Sequence, residues 1–392
     1  MAGGTTTGIL TETMGGHEPR LLHVVASFAP VAGGTTEAIR KLAQCCAGAV
    51  EVACLDDPGA AYVQGQSFPV HALGPPEGGY RWTPRLQPWL AENLARFDGV
   101  VIHGLWQYHG YGSYRIVRGR LPYVVFPHGM LDPYFKRTFP LKHLKKQIYW
   151  LAREYRMLRD ARAVCFTTAI ERDSSAKTFW PGRWKAAVVS LGTSEPGGEP
   201  ATQREMFLTR FPALRQRRFF LFLSRIHRKK GCDLLLEAFG RVAGDTDLDL
   251  VMAGPDEEGL QPVLEAQARR LGIAGRIHWT GMLEGDVKWG ALRAAEAFVL
   301  PSHQENFGIA VVEALACGVP VLISDKVNIW PEIAHDKAGI VKADTAEGTY
   351  QALAAFLAMG PEERLQMIGN GIACFRARWE MKRSAEALNE LF

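Results

Sequence analysis

Both halves of this chain repeat one pattern: short apolar runs, each closed by glycine or a polar loop and separated by stretches with helical spacing. In the first half the runs are Leu21–Ala26, Val50–Leu55, Gly99–His103, Tyr123–Phe126, Ala163–Thr167 and Ala186–Ser190. In the second they are Phe219–Leu223, Leu248–Ala253, Arg276–Trp279, Ala297–Leu300 and Val319–Ile323. Strands that alternate with helices pair in parallel, because a parallel neighbour is reached only by a crossover. Gly33-Gly34 follows the first run and opens a helix from Thr36 to Cys46. Thr193–Arg218 carries Pro, Gly and charge with little initial periodicity and is the expected linker. The expected fold is therefore α/β, with two doubly wound, Rossmann-like domains facing across a cleft. At 392 residues the chain is too long for one ordinary domain. Residues 1–19 are expected as a Gly- and Thr-rich tail, 20–200 and 201–374 as the two domains.

Composition removes several classes. A net charge of +4 is too weak for a nucleic-acid binder. No apolar run is long enough to span a membrane. Seven cysteines without metal-type spacing read as reduced, mostly buried thiols, which fits a cytoplasmic setting.

The chemistry concentrates in Pro301-Ser302-His303-Gln304-Glu305-Asn306-Phe307-Gly308, which runs into Ile309 and the apolar helical pattern around Glu313. Glu305 follows a strand in a polar loop. Glu313 stands between Val312 and Ala314, where an unpaired carboxylate is costly, so a partner is expected. A helix start offers free N–H groups and a positive dipole end to phosphate, while carboxylates accept bonds from sugar hydroxyls. Together they suit a sugar joined to a diphosphate. Two glutamates eight positions apart mean little alone, and the surroundings give them weight. Upstream, the run Phe219–Leu223 ends in the basic loop Ser224-Arg225-Ile226-His227-Arg228-Lys229-Lys230-Gly231. Its alternative reading is a solvated basic turn.

These two segments resemble the signature of glycosyltransferase family 4, the retaining sugar-nucleotide enzymes of the GT-B fold. The shared pattern is Pro-Ser, a Glu, Phe-Gly, then a Glu-Ala-x-Ala-x-Gly-x-Pro-Val run. The resemblance implies that Arg225 and Lys230 hold the donor diphosphate, aided by the helix start at Asn306, Phe307, Gly308 and Ile309. It implies that Glu305 grips sugar hydroxyls and that Glu313 meets the ribose. Gly281 and Met282 match the loop that holds the nucleotide base in relatives; a plain strand-ending turn is the alternative. Ser224 departs from the glycine usual before the arginine. Gly33 and Gly34 resemble the Gly-rich first loop near the diphosphate.

In the first half, Phe126-Pro127-His128-Gly129-Met130-Leu131-Asp132-Pro133 resembles a block from a branch acting in exopolysaccharide and lipid-linked glycan synthesis. It implies a catalytic His128 at the transferred sugar, alongside Glu305, Arg225 and Lys230, and an acceptor-orienting Asp132. His103 and Trp106 end another strand and suit an acceptor cleft, or core and rim packing. By resemblance, the last helix, residues 375–392, crosses back to the first domain. The activity implied is transfer of a sugar from a nucleoside diphosphate to a hydroxyl of a glycan or lipid-linked saccharide, with retained configuration. A GT-B epimerase and a silent nucleotide-sugar- or glycan-binding protein are the alternatives. No cofactor or metal is expected, the nucleotide sugar being a co-substrate. Asp245-Thr246-Asp247 and Asp247-Leu248-Asp249 match an Asp-x-Asp metal motif but precede a strand, and are expected as surface turn at its amino end.

Leu141, Leu144, Ile148, Leu151, Tyr155 and Leu158 recur at helical spacing, with Lys142, Lys145, Lys146, Arg153 and Arg156 largely off that stripe. Residues 141–159 thus read as a basic amphipathic helix. Its apolar face either packs on its own domain or meets an anionic membrane surface, which would make the protein peripheral to the membrane.

Overall fold

The computed structural model describes residues 18–30, 34–46, 49–133, 136 and 140–392. Seven strands build the first sheet: β1 (Leu21–Val25), β2 (Val50–Cys54), β3 (Val70–Ala72), β4 (Gly99–His103), β5 (Tyr123–Phe126), β6 (Ala163–Phe166) and β7 (Ala186–Val188). Six build the second: β8 (Phe219–Leu223), β9 (Asp249–Ala253), β10 (Ile277–Gly281), β11 (Ala297–Leu300), β12 (Val321–Ser324) and β13 (Gly339–Lys342). Their orders are β3-β2-β1-β4-β5-β6-β7 and β10-β9-β8-β11-β12-β13, with every paired strand parallel. Both sheets therefore reverse direction at the same point, between β1 and β4 and between β8 and β11. Ligands gather beyond the carboxyl ends of strands at such a reversal.

Two strands go unrecognised in the sequence. β3 has three half-buried residues and β13 is half-buried throughout. Each is an edge strand, where the apolar signal is weakest. The expected linker is also corrected. Thr193–Arg218 contains the helix Pro200–Arg210, whose Phe207 and Leu208 are buried in the second core with Leu214. Pro200 stands at the helix start, where its missing N–H costs nothing.

Alternation along β1 and β4 sorts the first core. Leu22, Val24, Val100 and Ile102 point to one face of the sheet. Leu21 and Val101 point to the other, as do His23 and His103 by their two-residue spacing. The helix Pro361–Arg378 keeps Cys374 and Phe375 in the second core. The chain then crosses over, and the helix Met381–Asn389 buries Ala385 and Leu388 against the first domain. The two crossings are tied together, since Thr193 N–H donates to Trp379 O (3.0 Å) and Met381 N–H to Thr193 O (3.0 Å).

Candidate active site

The carboxyl ends of β8 and β11 bring together the basic loop and the glutamate loop. Lys230 is buried and its ammonium donates to Glu305 Oε2. Glu305 is held from behind: its N–H donates to Lys326 O (3.0 Å) and its carbonyl accepts from Asn328 N–H (3.0 Å). Gly231 (φ +65°) makes this approach sterically feasible, because a Cβ there would overlap the Pro301 carbonyl oxygen. Arg225 is more open and pairs with Glu257 (2.8 Å). Ser224 N–H donates to Ala253 O (3.0 Å). The close backbone approach is supplied by Gly254 (φ +145°), whose Cβ would overlap the Ser224 carbonyl oxygen. The glycine missing before Arg225 is thus offset by one on the neighbouring strand end.

Gly308 (φ +78°) caps the eight-residue helix Ile309–Ala316 in the left-handed region. Phe307 is buried with its ring on Trp379 (6.4 Å), so it anchors the helix start. Gly281 and exposed Met282 lie at the carboxyl end of β10, on the sheet edge. Gly34 begins the helix Gly34–Cys45. Gly33 lies outside the described residues.

Glu313 has the partners its burial demands. Its Oε1 accepts from Lys288 (2.8 Å) and, across the domains, from Lys41 of the helix Gly34–Cys45 (3.0 Å). Burial raises its pKa, but the two ammonium groups outweigh that and hold it below the usual carboxylate range. Lys41 also donates to Thr193 Oγ1 (2.6 Å), so Glu313 serves as a tie between the domains. The ribose contact implied by resemblance would have to share this carboxylate with two lysines.

On the facing side, three imidazoles form a chain. His23 Nδ1 lies 2.9 Å from His103 Nε2, and His103 Nδ1 lies 2.8 Å from His128 Nε2. The His103 ring is nearly parallel to those of both His23 (19°) and His128 (13°). Burial drives His23 and His128 down to about 3 and His109 to about 4, and His103 also falls well below its ordinary value. All four are neutral at neutral pH, so each N–H···N contact has one donor and the tautomers of His23, His103 and His128 are set together. Both ring nitrogens of His103 are engaged inside the domain, which fits the packing alternative for this residue. The half-buried Trp106 ring packs on Phe179 (5.1 Å) and Trp150 (6.2 Å), which again fits the packing alternative.

Two buried carboxylates that the sequence reading missed shape the loops bearing these residues. Glu171 accepts from Gly129 N–H (2.6 Å) and from the N–H and hydroxyl of Thr167 (both 2.8 Å). Glu154 accepts from Trp106 N–H (3.1 Å), and burial pushes it up to about 7. The loops they hold contain His128 (φ 51°) and Trp106 (φ 74°), non-glycine residues in the left-handed region. That conformation costs about 1–3 kcal/mol and persists where the surroundings enforce it. Only Glu154 carried a signal, an acid among Trp150, Leu151, Met157 and Leu158 at helical spacing, whereas Glu171 lies among Thr167, Thr168, Ser174 and Ser175.

The loops of the two domains meet. Asn306 Nδ2 donates to Thr167 Oγ1 (3.1 Å), and a Cβ on Gly129 would lie 3.2 Å from the Asn306 side chain. Gln304 Nε2 donates to Asp132 Oδ2 (2.5 Å) and Gln304 Oε1 accepts from Lys229 (2.9 Å). His128, Asp132, Lys230 and Glu305 thereby share one cleft.

The Asp-x-Asp reading is partly corrected. Asp249 does start β9, at its amino end, but it is buried rather than on a surface turn. It accepts from Arg217 (2.6 and 2.9 Å), Arg276 (3.2 Å) and His278 (2.9 Å). Among the described residues no group of three or more His, Cys, Asp or Glu side chains is arranged to hold a metal ion.

Two like-wound parallel-sheet domains whose strand ends face across a charged cleft are the GT-B architecture. Residues 208–373 match the family model of glycosyl transferases group 1, and residues 33–192 that of the glycosyl transferase 4-like domain. The chain belongs to this glycosyltransferase family. Among curated proteins, the D-inositol 3-phosphate glycosyltransferase of Segniliparus rotundus is 31% identical over 204 residues, 51% of this chain and 44% of that protein. One from Catenulispora acidiphila is 29% identical over 212 residues, 52% of this chain and 48% of that protein. The chain thus spans about half the length of the curated relatives it matches. HepE of Anabaena, solved with UDP-glucose, superposes with a TM-score of 0.72 at 15% identity, over 94% of this chain and 98% of that one. Sucrose-phosphate synthase of Thermosynechococcus elongatus gives 0.73 at 18% identity, over 95% and 98%.

Proposed function

We propose that the chain transfers a sugar from a nucleoside diphosphate to a hydroxyl of a glycan or lipid-linked saccharide, with retained anomeric configuration. One observation carries this reading: the Lys230–Glu305 pair at the β8 and β11 ends, joined through Asn306 to the loop of His128. The leaving diphosphate gains negative charge as the bond to the sugar breaks. Lys230, Arg225 and the start of the helix Ile309–Ala316 stabilise that charge, in a role needing no metal. Glu305 accepts from sugar hydroxyls, and His128, held neutral, bonds the sugar near its anomeric carbon. Asp132 orients the acceptor. Residues 20–200 form the acceptor side and 201–374 the donor side, with the final helix bracing the two. The complex of HepE with UDP-glucose supports a nucleotide-sugar donor.

The helix Pro140–Tyr149 and the turn after it add a surface of contact. Leu141 (80%), Leu144 (62%) and Ile148 (68%) are exposed, beside exposed Lys142 and Lys145. Trp180, 77% exposed, is attached to the same helix, its N–H donating to Gln147 Oε1 (3.1 Å). An apolar strip flanked by lysines and an interfacial tryptophan fits an anionic membrane surface, where a lipid-linked acceptor is presented. No described helix is long and apolar enough to cross a membrane.

A calorimetric screen of UDP-, GDP- and ADP-sugars, followed by turnover with and without acceptor extract, tests the transferase. NMR of the product gives its anomeric configuration. Product formed without acceptor would point to an epimerase, and an inverted product would end the retaining reading.

A further inference from the structure

We infer that the flank of the first domain carries a binding site for an anionic sugar, built from Tyr80, Trp82, Tyr108, Tyr111, Arg115 and Arg153. The inference deepens the proposed transfer by naming its acceptor class, and for that purpose it rests on that reading. These side chains line an open depression of about 520 Å³, within the range of small-ligand sites. Three separate segments supply them: the loop after β3, the helix Tyr108–Val117, and the wide turn Trp150–Glu154.

The aromatic side is held in place. Trp82 is 41% exposed, an unfavourable position for so large an apolar ring. It is nonetheless fixed, because Trp82 N–H donates to Glu77 O (3.0 Å) and Glu77 N–H to Trp82 O (2.7 Å). Its neighbour Arg81 stands in the left-handed region (φ 56°). Arg81 is tied to the core through Asp56 (3.0 Å) and the Ala26 carbonyl (3.1 Å). Strain retained to present an exposed tryptophan points to a ligand. Tyr80 meets Tyr108 edge to face (5.9 Å, 66°), and the Tyr80 hydroxyl is held by Tyr149 (2.8 Å) and Arg153 (3.3 Å), so these rings are fixed at the depression. Ring faces of this kind cover the C–H faces of a pyranose.

The charged side is one-signed. Arg115 and Arg153 line the depression and, among the described residues, no carboxylate does. Arg153 is positioned by aromatic rings, with its guanidinium carbon 5.1 Å from the Tyr111 centroid and Nη1 donating to the Tyr80 hydroxyl (3.3 Å). A pre-set guanidinium offers paired donors to phosphate or carboxylate. Aromatic faces with two arginines and no acid select a sugar that bears negative charge over a neutral one. Arg153 also follows Leu151, the last exposed member of the apolar strip, so the charge lies beside the proposed lipid surface.

The test titrates the full chain with glucose 6-phosphate, glucuronic acid, glucose and inorganic phosphate, following tryptophan fluorescence and heat, with UDP titrated separately. At least one of the two charged sugars should bind about tenfold or more tighter than glucose, and excess UDP should not displace it. Glucose 6-phosphate ahead of glucuronic acid assigns the charge to phosphate, and the reverse order to carboxylate. The exposed double variant Arg115→Gln/Arg153→Gln should lose that preference while binding UDP as before. Trp82→Ala should weaken binding and reduce the fluorescence change. The inference is overturned if glucose binds as well as both charged sugars, if inorganic phosphate alone matches them, or if the double variant retains the preference. Failure of UDP, and of GDP and ADP titrated in the same way, to bind the wild type would instead defeat the transferase reading and leave this site standing.

Discussion

The two sheets share one strand order yet prepare their switch points in opposite ways. Beyond β8 and β11 stand charges in pairs: Lys230 with Glu305 and Arg225 with Glu257. Beyond β4 and β5 stand neutral imidazoles, buried and hydrogen-bonded in series. On the proposed reading a donor diphosphate arrives with its charge, so its half supplies cations, Lys230 buried and Arg225 open to solvent. On the proposed reading His128 meets the transferred sugar, and a buried neutral donor–acceptor chain suits its hydroxyls. The same scaffold thus supports a charged end and an uncharged end, and the two should fail under different perturbations.

Acid should produce the largest difference. An exposed histidine in the unfolded chain takes a proton near pH 6.5. His23 and His128 resist to about 3 and His109 to about 4. Below pH 6.5 the unfolded state therefore binds more protons than the native state. Stability is fully present above pH 6.5 and falls as pH drops toward the native values, by roughly 1.4 kcal/mol per pH unit for each histidine. Thermal melts between pH 7.5 and 4.5 check this. A first domain that melts no earlier at pH 5 than at pH 7 would break the neutral-chain account. The double variant His23→Asn/His103→Asn should flatten the dependence.

The next effect lies where the halves are tied. Glu313→Ala leaves Lys41 and Lys288 facing each other without their carboxylate. Removing one partner from a buried ion pair typically costs about 3–5 kcal/mol. Lys41→Ala removes only the cross-domain member, because Lys288 still pairs with Glu313, and should cost less. A Lys41→Ala variant that melts with the wild type would mean that the tie does not act between domains.

At the donor end, Lys230→Ala should lower kcat/KM about 100-fold and Arg225→Ala about 10-fold, with folding retained. The estimate follows from about 1.5–3 kcal/mol for a charge-assisted hydrogen bond, and Arg225 is the more exposed. Initial rates with the donor found by calorimetry check the order. A larger loss at Arg225 would move the diphosphate outward, toward Glu257.

How much of this was legible differs between the halves for a physical reason. The charged end lies in two contiguous segments, each with its motif beside its strand, so Arg225, Lys230 and Glu305 stood out in the sequence. The neutral end is assembled from His23 in β1, His103 at the end of β4 and His128 in the loop after β5, which only the parallel order places side by side. No local pattern records such a contact. The long-range contacts of Glu154 and Glu171 were hidden in the same way, since they run to the N–H groups of Trp106 and Gly129 in distant loops. The amphipathic helix shows a third kind of limit. One stripe was expected through Leu158, yet Leu158 is buried while Leu141, Leu144, Ile148 and Leu151 are exposed. The wide π turn Trp150–Glu154 inserts a phase shift that a constant period cannot follow.

That phase shift yields the smallest prediction and extends the comparison to the outer surface. The exposed face ends where the π turn begins, so anionic vesicles should be bound by the first part of the segment alone. Ile148→Glu should weaken co-sedimentation with anionic vesicles about tenfold, from lost apolar burial of about 1.5–3 kcal/mol partly realised at an interface. Lys142→Ala should weaken it about fivefold, near 1 kcal/mol per charge at the surface, and that loss should vanish in high salt. Arg159→Ala, beyond the turn and paired with Asp160 (2.8 Å), should leave it unchanged. Binding that is equal on neutral vesicles, or that depends on Arg159 as much as on Ile148, would remove the membrane face while leaving the charged and neutral switch points as described.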